Sequence, residues 1–462
     1  ISIRLVGSEM CIRDRYITTL RTKSKEFNSI SNVQLASMLE ETISNINEVA
    51  YFWATICSDN KGTTKTPAEG EEWAGGPYAA VLATQYYRNS LIDDTDLKVK
   101  KYNEKENSYK VFPNNIIEKL SFPYINAKVY FNKSMSFDDI NQYRGFSKRY
   151  DIDPSITLVL GAGNYSSIPY LDVMYHLVTR RSVILLKLNP VNEYLKPVFE
   201  KVFENFIERG YIIITTGNID ESRYMSKHPG VNHIHLTGSD KTYEDIVYGR
   251  ELSDSDKKVK HLRKINNKTI TSELGNVTPI IIHPGKWSTS DIKYQARKIV
   301  TGKLNNNGFN CISAQVVVLP DGWGHTETLI KYIKYYMNKV KERKAYYPES
   351  IERLQKLEKD KAYERVNSLK CTTPHLTREI KAYNKYELDE VWSSTLYFKR
   401  IEYKNAEDFA NKATQYCNND LWGNLGVTVI IKDQNKKFNQ HITDFYIDKL
   451  NCLLYTSPSP RD

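Results

Sequence analysis

The sequence has no long apolar run and few cysteines, and these absences exclude several classes of protein. No stretch approaches the ~18 consecutive apolar residues of a transmembrane helix, so we predict no membrane span. The six cysteines include no C-x-x-C pair, and the nine histidines show no metal-ligand spacing. We therefore predict no bound metal and no disulfide framework. Unpaired, scattered cysteines fit a reducing compartment, and we expect a cytoplasmic protein.

The charge balance excludes another class. The sequence has 65 basic and 55 acidic residues, so the 462 residues carry a diffuse net charge of +10. Such a small excess does not indicate a nucleic-acid partner. With 40% hydrophobic and 26% charged residues, the composition also excludes a disordered or collagen-like chain. The length alone predicts about three domains.

The two ends of the chain share an unusual relation. A DNA string that encodes the last residues, CLLYTSPSPRD, has a reverse complement that encodes LVGSEMCIRD when read out of frame, and this is the segment Leu5 to Asp14. Opposite strands of one oligonucleotide at both ends resemble a sequencing-library adapter translated into the chain. We therefore interpret residues 1–15 and 452–462 as adapter-derived and leave them out of the fold prediction. The native start is then missing, so the sequence does not exclude a targeting peptide.

Hydrophobic periodicity divides the remaining chain into three regions. Residues 16–150 begin with a helical pattern that Ser31 and Gln34 introduce as a capping box. Residues 151–270 alternate apolar strands with helices, which predicts a parallel, doubly wound α/β sheet. A second α/β region covers residues 271–451, and the charged segment 251–268 before it is predicted to be a loop or an exposed hairpin. The predicted strands are ITLVLG, SVILLK, YIIITT, VNHIHLTG, TPIIIH and AQVVVL. Between the second and third strands we predict a helix that Gly210 ends, with one apolar face formed by Leu195, Val198, Phe199, Val202, Phe203 and Phe206.

One turn partly matches a dinucleotide-binding fingerprint. The segment GAGNYS, residues 161–166, follows a strand and precedes a helix. Its third glycine position is Ser166, however, and the next strand ends in Lys187, where an NAD fingerprint has an acid. The pattern fits nucleotide binding and a tight glycine-dependent turn equally well.

Three side chains are candidates for chemistry, although each also has an ordinary structural reading. Cys311 ends the polar segment NNNGFNC, a loop that could present a thiol beside backbone N–H groups. A single cysteine is more often a small buried apolar residue. Glu273, before a β-like run, could equally be a solvated strand end, and Asn164 could be a simple turn residue.

Taken in order, these segments resemble the aldehyde dehydrogenase superfamily over about Leu35 to Thr428. The family motifs correspond to GAGNYSSIP, ILLKLNP, HLTGSD, SELGN and NGFNC, followed by Glu390-Val-Trp and by a segment from Asn419 to Gly423. The resemblance implies an α/β fold with a Rossmann-type parallel-sheet domain for NAD or NADP and a second α/β catalytic domain. It also implies a small-molecule aldehyde substrate and, for the complete protein, a homo-oligomer.

The resemblance further implies a role for each matching residue. Cys311 would be the nucleophile, Glu273 the general base, and Asn164 a donor to the developing oxyanion together with the Cys311 N–H. The implied cofactor contacts are Lys187 and Glu390 at the ribose groups and Gly238 and Ser239 at the pyrophosphate.

The chain also departs from the family pattern. Pro190 replaces the usual acid three residues after Lys187, which leaves NAD and NADP both open. Asn276 replaces a glycine, Trp422 replaces a tyrosine, and the segment 251–268 is an insertion. We therefore expect a divergent branch whose aldehyde is not predictable. Because family members continue well beyond the segment like Asn419 to Gly423, we also expect this chain to be truncated at its C-terminus.

Two other functions stay open. A CoA-dependent acyl reductase, or acylating aldehyde dehydrogenase, would use the same cysteine thioester and exchange it with CoA. The retained Glu273 favours release by water, because water needs a base more than a thiol does. A non-catalytic nucleotide-binding homologue is the other alternative, and the intact set of Cys311, Glu273 and Asn164 argues against it.

Overall fold

The N-terminal part of the computed structural model is built around two long helices. The structure describes residues 2–92, 102–123, 125–131, 134–142, 152–257, 259, 262–380, 390–432, 436–452 and 454–456. Helices α1 and α2 are Ser2–Asn28 and Asn32–Lys61. The predicted capping box is confirmed, because the Ser31 hydroxyl accepts the Gln34 N–H at 3.2 Å and the Gln34 side chain accepts the Ser31 N–H at 3.0 Å. Gly62, at φ +67°, ends α2.

A small antiparallel sheet and short helices complete this region. The sheet has the strand order β1-β2-β3. The elements are α3 Glu69–Trp73, α4 Ala79–Ile92, β1 Tyr102–Asn103, β2 Ser108–Phe112, α5 Ile116–Ser121, β3 Ala127–Tyr130 and α6 Phe137–Gln142.

The first large sheet is five-stranded and entirely parallel, with the order β6-β5-β4-β7-β8. Its central strands β4 and β5 are buried along their whole length, which explains their continuous apolar runs. The predicted α/β class and the first four predicted strands are confirmed. The elements are β4 Ile156–Leu160, α7 Ser167–Met174, β5 Val183–Lys187, α8 Lys196–Val202, α9 Glu204–Glu208, β6 Ile212–Thr215, α10 Ile219–Lys227, β7 His233–Thr237, α11 Asp240–Tyr248, α12 Asp254–Lys257 and β8 Thr269–Glu273.

In two segments the structure differs in detail from the prediction. The helix predicted before Gly210 is divided in two: a 3-10 turn leads into α8, and Phe203, at φ −97° and ψ 14°, separates α8 from α9. The apolar face is nevertheless buried as predicted, because helical spacing is nearly the same in one helix or two. In the charged insertion, Asp254–Lys257 forms the short helix α12, while residues 258, 260 and 261 lie outside the described residues.

The second large sheet has seven strands in the order β11-β12-β13-β10-β9-β14-β15. All neighbours are parallel except β11 and β12. The first sheet ends at Glu273 and the second begins at Thr278, and we propose that the domain boundary lies at this change of sheet. The elements are β9 Thr278–Ile282, α13 Thr289–Leu304, β10 Ala314–Pro320, α14 Thr326–Lys339, α15 Ser350–Glu358, β11 Tyr363–Arg365, β12 Leu376–Ile380, β13 Thr395–Ile401, α16 Ala406–Asn419, β14 Gly426–Ile430, α17 Lys436–Lys449 and β15 Leu454–Thr456.

The segment that we propose to be adapter-derived at the N-terminus is part of α1. Arg13 in this segment donates to the Thr216 carbonyl at 3.0 Å, beside the end of β6. Among the described residues, none of the helices combines the length and the apolar character that crossing a bilayer requires.

Candidate active site

The carboxyl edge of the first sheet gathers four of the sequence-predicted site residues. The turn after β4 carries Asn164, and its Gly161 N–H donates to the carbonyl of Lys187, the last residue of β5, at 3.1 Å. On the other side, the Gly238 N–H after β7 donates to the carbonyl of Glu273, the last residue of β8, at 3.0 Å. Parallel strands of one sheet end at the same edge, and that edge is where such folds bind ligands.

The loop that carries Cys311 runs from the end of α13 to β10. Asn306, Asn307 and Gly308 all have left-handed backbone conformations, with φ values of +48°, +55° and +81°. A side chain on Gly308 would collide with the carbonyl of Ser393, so only glycine fits there. The Thr278 hydroxyl donates to the carbonyl of Cys311 at 3.3 Å, which ties the loop to β9.

The Cys311 loop meets the Asn164 turn directly. The side-chain nitrogen of Asn306 donates to the carbonyl oxygen of Asn164 at 3.1 Å. Asn164 itself is buried, with 3% of its surface exposed, and its side-chain amide has no hydrogen-bond partner within the described part of the chain. The candidate oxyanion donor therefore lies next to the nucleophile loop with its amide unused.

The Cys311 thiol lies in an acidic, partly buried environment. Burial raises its pKa to about 11, and the negative charges of Glu390 and Glu273 act in the same direction. The backbone N–H groups of Cys311 and Ile312 act in the opposite direction but do not compensate. Near neutral pH the thiol is therefore protonated, and both carboxylates that the sequence singled out act on it.

Glu390, whose charge acts on the thiol, is held beside Gly275 and Asn276. Its carboxylate accepts the Asn276 N–H at 3.4 Å, and burial raises its pKa to about 8. A Cβ on Gly275 would collide with the Glu390 carboxylate and lie 3.0 Å from the Trp422 ring. The departures at Asn276 and Trp422 thus both contribute to the surroundings of Glu390.

The residues predicted to contact a dinucleotide fit such a ligand. The Lys187 side chain is buried, its ammonium has no hydrogen-bond partner among the described residues, and burial lowers its pKa. An unpaired cation at a strand end suits ribose hydroxyls. A Cβ on Gly238 would meet only the Leu236 side chain, at 3.3 Å, and Ser239 caps α11 by accepting the Thr242 N–H at 3.2 Å. The start of α11 therefore suits a pyrophosphate group.

Sequence reasoning missed Lys303, on the last turn of α13. Its side chain is completely buried, and its ammonium has no hydrogen-bond partner in the described ranges. Burial lowers its pKa to about 7, against the opposing effect of the Glu390 charge. The sequence does indicate that Lys303 is buried, because it lies on the same helix face as the apolar residues Val300 and Leu304, which are both buried.

Replacing Lys303 with methionine is expected to stabilise the fold by about 2 kcal/mol, because it removes an unpaired buried cation at similar volume. The folded-state pKa of about 7 lies below the ordinary 10.5, so the unfolded chain binds more protons between these values. The stabilisation should be largest below pH 7 and disappear towards pH 10.5. Urea unfolding at pH 6 and pH 10 measures it. The exposed Lys298 on the same helix supplies the control, Lys298→Met, and equal effects of both changes would contradict the expectation.

Comparisons with known proteins show which family and which fold the chain resembles. The sequence model of the aldehyde dehydrogenase family matches residues 177–350, which include Lys187, Gly238, Glu273 and Cys311. No curated protein sequence matches the chain.

Solved structures match nearly the whole chain in fold. An aldehyde dehydrogenase 21 from Physcomitrella patens, in complex with the reaction product succinate, is 13% identical with a TM-score of 0.67 and covers 98% of this chain and 83% of that chain. An NADP-dependent glyceraldehyde-3-phosphate dehydrogenase from Bacillus halodurans, complexed with NADP, is 13% identical with a TM-score of 0.65, covering 98% and 84%. Aldehyde dehydrogenase KauB from Pseudomonas aeruginosa is 11% identical with a TM-score of 0.67, covering 98% and 82%. The predicted resemblance and fold are confirmed.

Proposed function

Because residues 177–350 match the aldehyde dehydrogenase family and almost the whole chain has its fold, we propose that this protein oxidises an aldehyde to a carboxylic acid with NAD or NADP. One observation carries the proposal. The loop of the partly exposed Cys311 thiol is hydrogen-bonded to the Asn164 turn, while the charge of Glu273 acts on the same thiol. These contacts support an assignment of nucleophile, amide donor and base to neighbouring residues.

In the proposed first step, the partly exposed Cys311 thiol gives its proton to solvent water, and its sulfur attacks the aldehyde carbonyl carbon. A carbon–sulfur bond forms, and the carbonyl electron pair moves to oxygen. The unused Asn164 amide and the Cys311 N–H would stabilise that oxyanion, an effect often worth about 3 kcal/mol. A bound nicotinamide cofactor supplies the hydride acceptor. When the hydride leaves and the carbonyl re-forms, Cys311 carries a thioester.

In the second step, water releases the acid. Glu273 is exposed at the end of β8, so it can receive water as well as face the thiol. Its carboxylate would take a proton from the attacking water and pass it to solvent, while the Cys311 sulfur leaves as the thiolate. Lys187 and Glu390 would hold the ribose groups, and Gly238 with Ser239 would receive the pyrophosphate at the start of α11.

The surroundings of Lys187 favour NAD over NADP. Glu193 and Glu221 both act on the Lys187 ammonium, and Glu193 also accepts the Gly217 N–H at 3.3 Å. A carboxylate at this place binds ribose hydroxyls and repels a 2′-phosphate. We propose that Glu193 performs the role of the acid that the family usually has at the position of Pro190.

We therefore expect NAD to bind at least about tenfold more tightly than NADP, measured as Kd by isothermal titration calorimetry. Glu193→Gln should reduce this preference, and the exposed Glu200 supplies the control, Glu200→Gln. Because Arg13 of the adapter-derived segment lies 3.3 Å from the Cβ position of Gly217, the titration is repeated with Arg13→Ala. Equal affinity for NAD and NADP, both in the unchanged chain and in Arg13→Ala, would contradict the assignment.

A further inference from the structure

The backbone carbonyl of Asn164 is held by three donors from three separate parts of the chain. Lys61 of α2 donates at 2.9 Å, the Asn306 side chain at 3.1 Å, and the Tyr346 hydroxyl at 3.1 Å. A carbonyl oxygen has two lone pairs, so three donors saturate it. The peptide that carries the candidate oxyanion donor is therefore fixed from several directions.

Asn306 is the member of this network that belongs to the Cys311 loop. Besides Asn164, its side-chain nitrogen donates to the Phe309 carbonyl at 2.8 Å. Its side-chain oxygen lies 3.1 Å from the Tyr346 hydroxyl, whose single proton it shares with the Asn164 carbonyl. Its own N–H donates to the Glu71 carboxylate at 2.8 Å. Asn306 is 4% exposed, and a buried polar group with every partner satisfied makes its surroundings rigid.

Two ion pairs hold the same network from the N-terminal region. The Glu71 carboxylate that accepts the Asn306 N–H also pairs with Arg343 through two bonds of 2.8 and 2.9 Å. The Lys61 ammonium pairs with Glu72 at 2.9 Å, and both of these side chains are buried. Two-pronged arginine–carboxylate pairs have a defined geometry, so helix α3 supports the loop as well as the turn.

We propose that Asn306 is a positioning residue that sets the distance between the Cys311 sulfur and the Asn164 amide, an inference that rests on the proposed oxidation. Asn306 touches neither the aldehyde nor the cofactor in this assignment. It acts through the carbonyl of Asn164, the candidate oxyanion donor, and through the carbonyl of Phe309, two residues before Cys311. A left-handed backbone at φ +48° is uncommon for residues other than glycine, and the hydrogen bonds of the Asn306 side chain and N–H stabilise it.

The test replaces Asn306 with glycine, which accepts the left-handed backbone but cannot bridge the two carbonyls. The control is Asn307→Gly: Asn307 also has a left-handed backbone, at φ +55°, but its side chain donates to Arg343 and Lys344 carbonyls instead of Asn164. We expect Asn306→Gly to lower kcat about 100-fold with KM changed less than about threefold, because a misplacement of about 1 Å has such an effect. Asn307→Gly should change kcat by less than about threefold.

A second readout separates positioning from loss of folded protein. In a single turnover with hexanal and NAD, the fraction of chains that become acylated on Cys311 should match the wild type, while the rate of acylation falls. Given a wild type that oxidises aldehyde, either of two results would overturn the inference. One is a reduced acylated fraction of Asn306→Gly at an unchanged rate of acylation, and the other is an equal loss of kcat in both variants. Absence of oxidation by the wild type over a panel of aldehydes would overturn the proposed function and, with it, this inference.

Discussion

Replacing Cys311 with alanine or serine is expected to lower the rate of aldehyde oxidation by about 10⁴-fold or more. The proposed thioester cannot form without the sulfur, and removing a covalent nucleophile has effects of this size in other enzymes. Because Cys311 is partly exposed, either substitution should leave the fold and the affinity for NAD unchanged. The measurement is NADH formation at 340 nm with propanal, hexanal and benzaldehyde.

Cys371 supplies the matched control for this experiment. Like Cys311, it is a free cysteine of intermediate exposure, but it lies in the segment before β12 and its backbone is hydrogen-bonded to Ser368 and Arg365. Cys371→Ala should retain wild-type turnover. Turnover that persists at the wild-type level in Cys311→Ala would show that another group performs the chemistry.

Replacing Glu273 with glutamine is expected to affect the two steps of the reaction in opposite directions. Without its carboxylate, water attack on the thioester should slow by about 10²- to 10⁴-fold. The same change removes one of the negative charges that raise the pKa of the Cys311 thiol above 9, so that pKa should fall. Alkylation of Cys311 by iodoacetamide at pH 8 should therefore become faster while steady-state oxidation becomes slower.

This variant also discriminates between water and CoA as the acyl acceptor. In Glu273→Gln, the acylated chain should accumulate and be visible by intact-mass spectrometry. For hydrolysis, wild-type enzyme should release the acid without CoA, and added CoA should not change its turnover. Turnover that requires CoA, or deacylation that is as fast in Glu273→Gln as in wild type, would exclude Glu273 as the base for water. The exposed Glu251 of the charged insertion supplies the control, Glu251→Gln.

The part of the site that the sequence predicted is the part that parallel strands bring together. Lys187 ends the apolar strand β5 and Gly238 follows the apolar strand β7, and such ends meet at one edge whatever the helices between them do. Buried strands such as β4 and β5 are recognisable because both of their faces are apolar. The fold class followed from the same alternation of strands and helices.

Other features of the site and the fold were not predictable from the sequence. Asn306 binds Glu71 and Asn164, which are far from it in sequence, and a run of asparagines before a glycine looks like an ordinary loop. The break at Phe203 was missed because two short helices bury the same apolar positions as one long helix. Lys303 was overlooked because lysine is almost never fully buried.

The most direct test of the proposed mechanism is to locate the acyl group. The wild-type chain is mixed with hexanal and NAD, quenched in acid within the first turnover, and digested for peptide mass spectrometry. We predict a hexanoyl group on the peptide that contains Cys311, formed only when NAD is present, and in larger amount with Glu273→Gln. NADH formation with an unmodified Cys311, or with the acyl group on another residue, would contradict the mechanism.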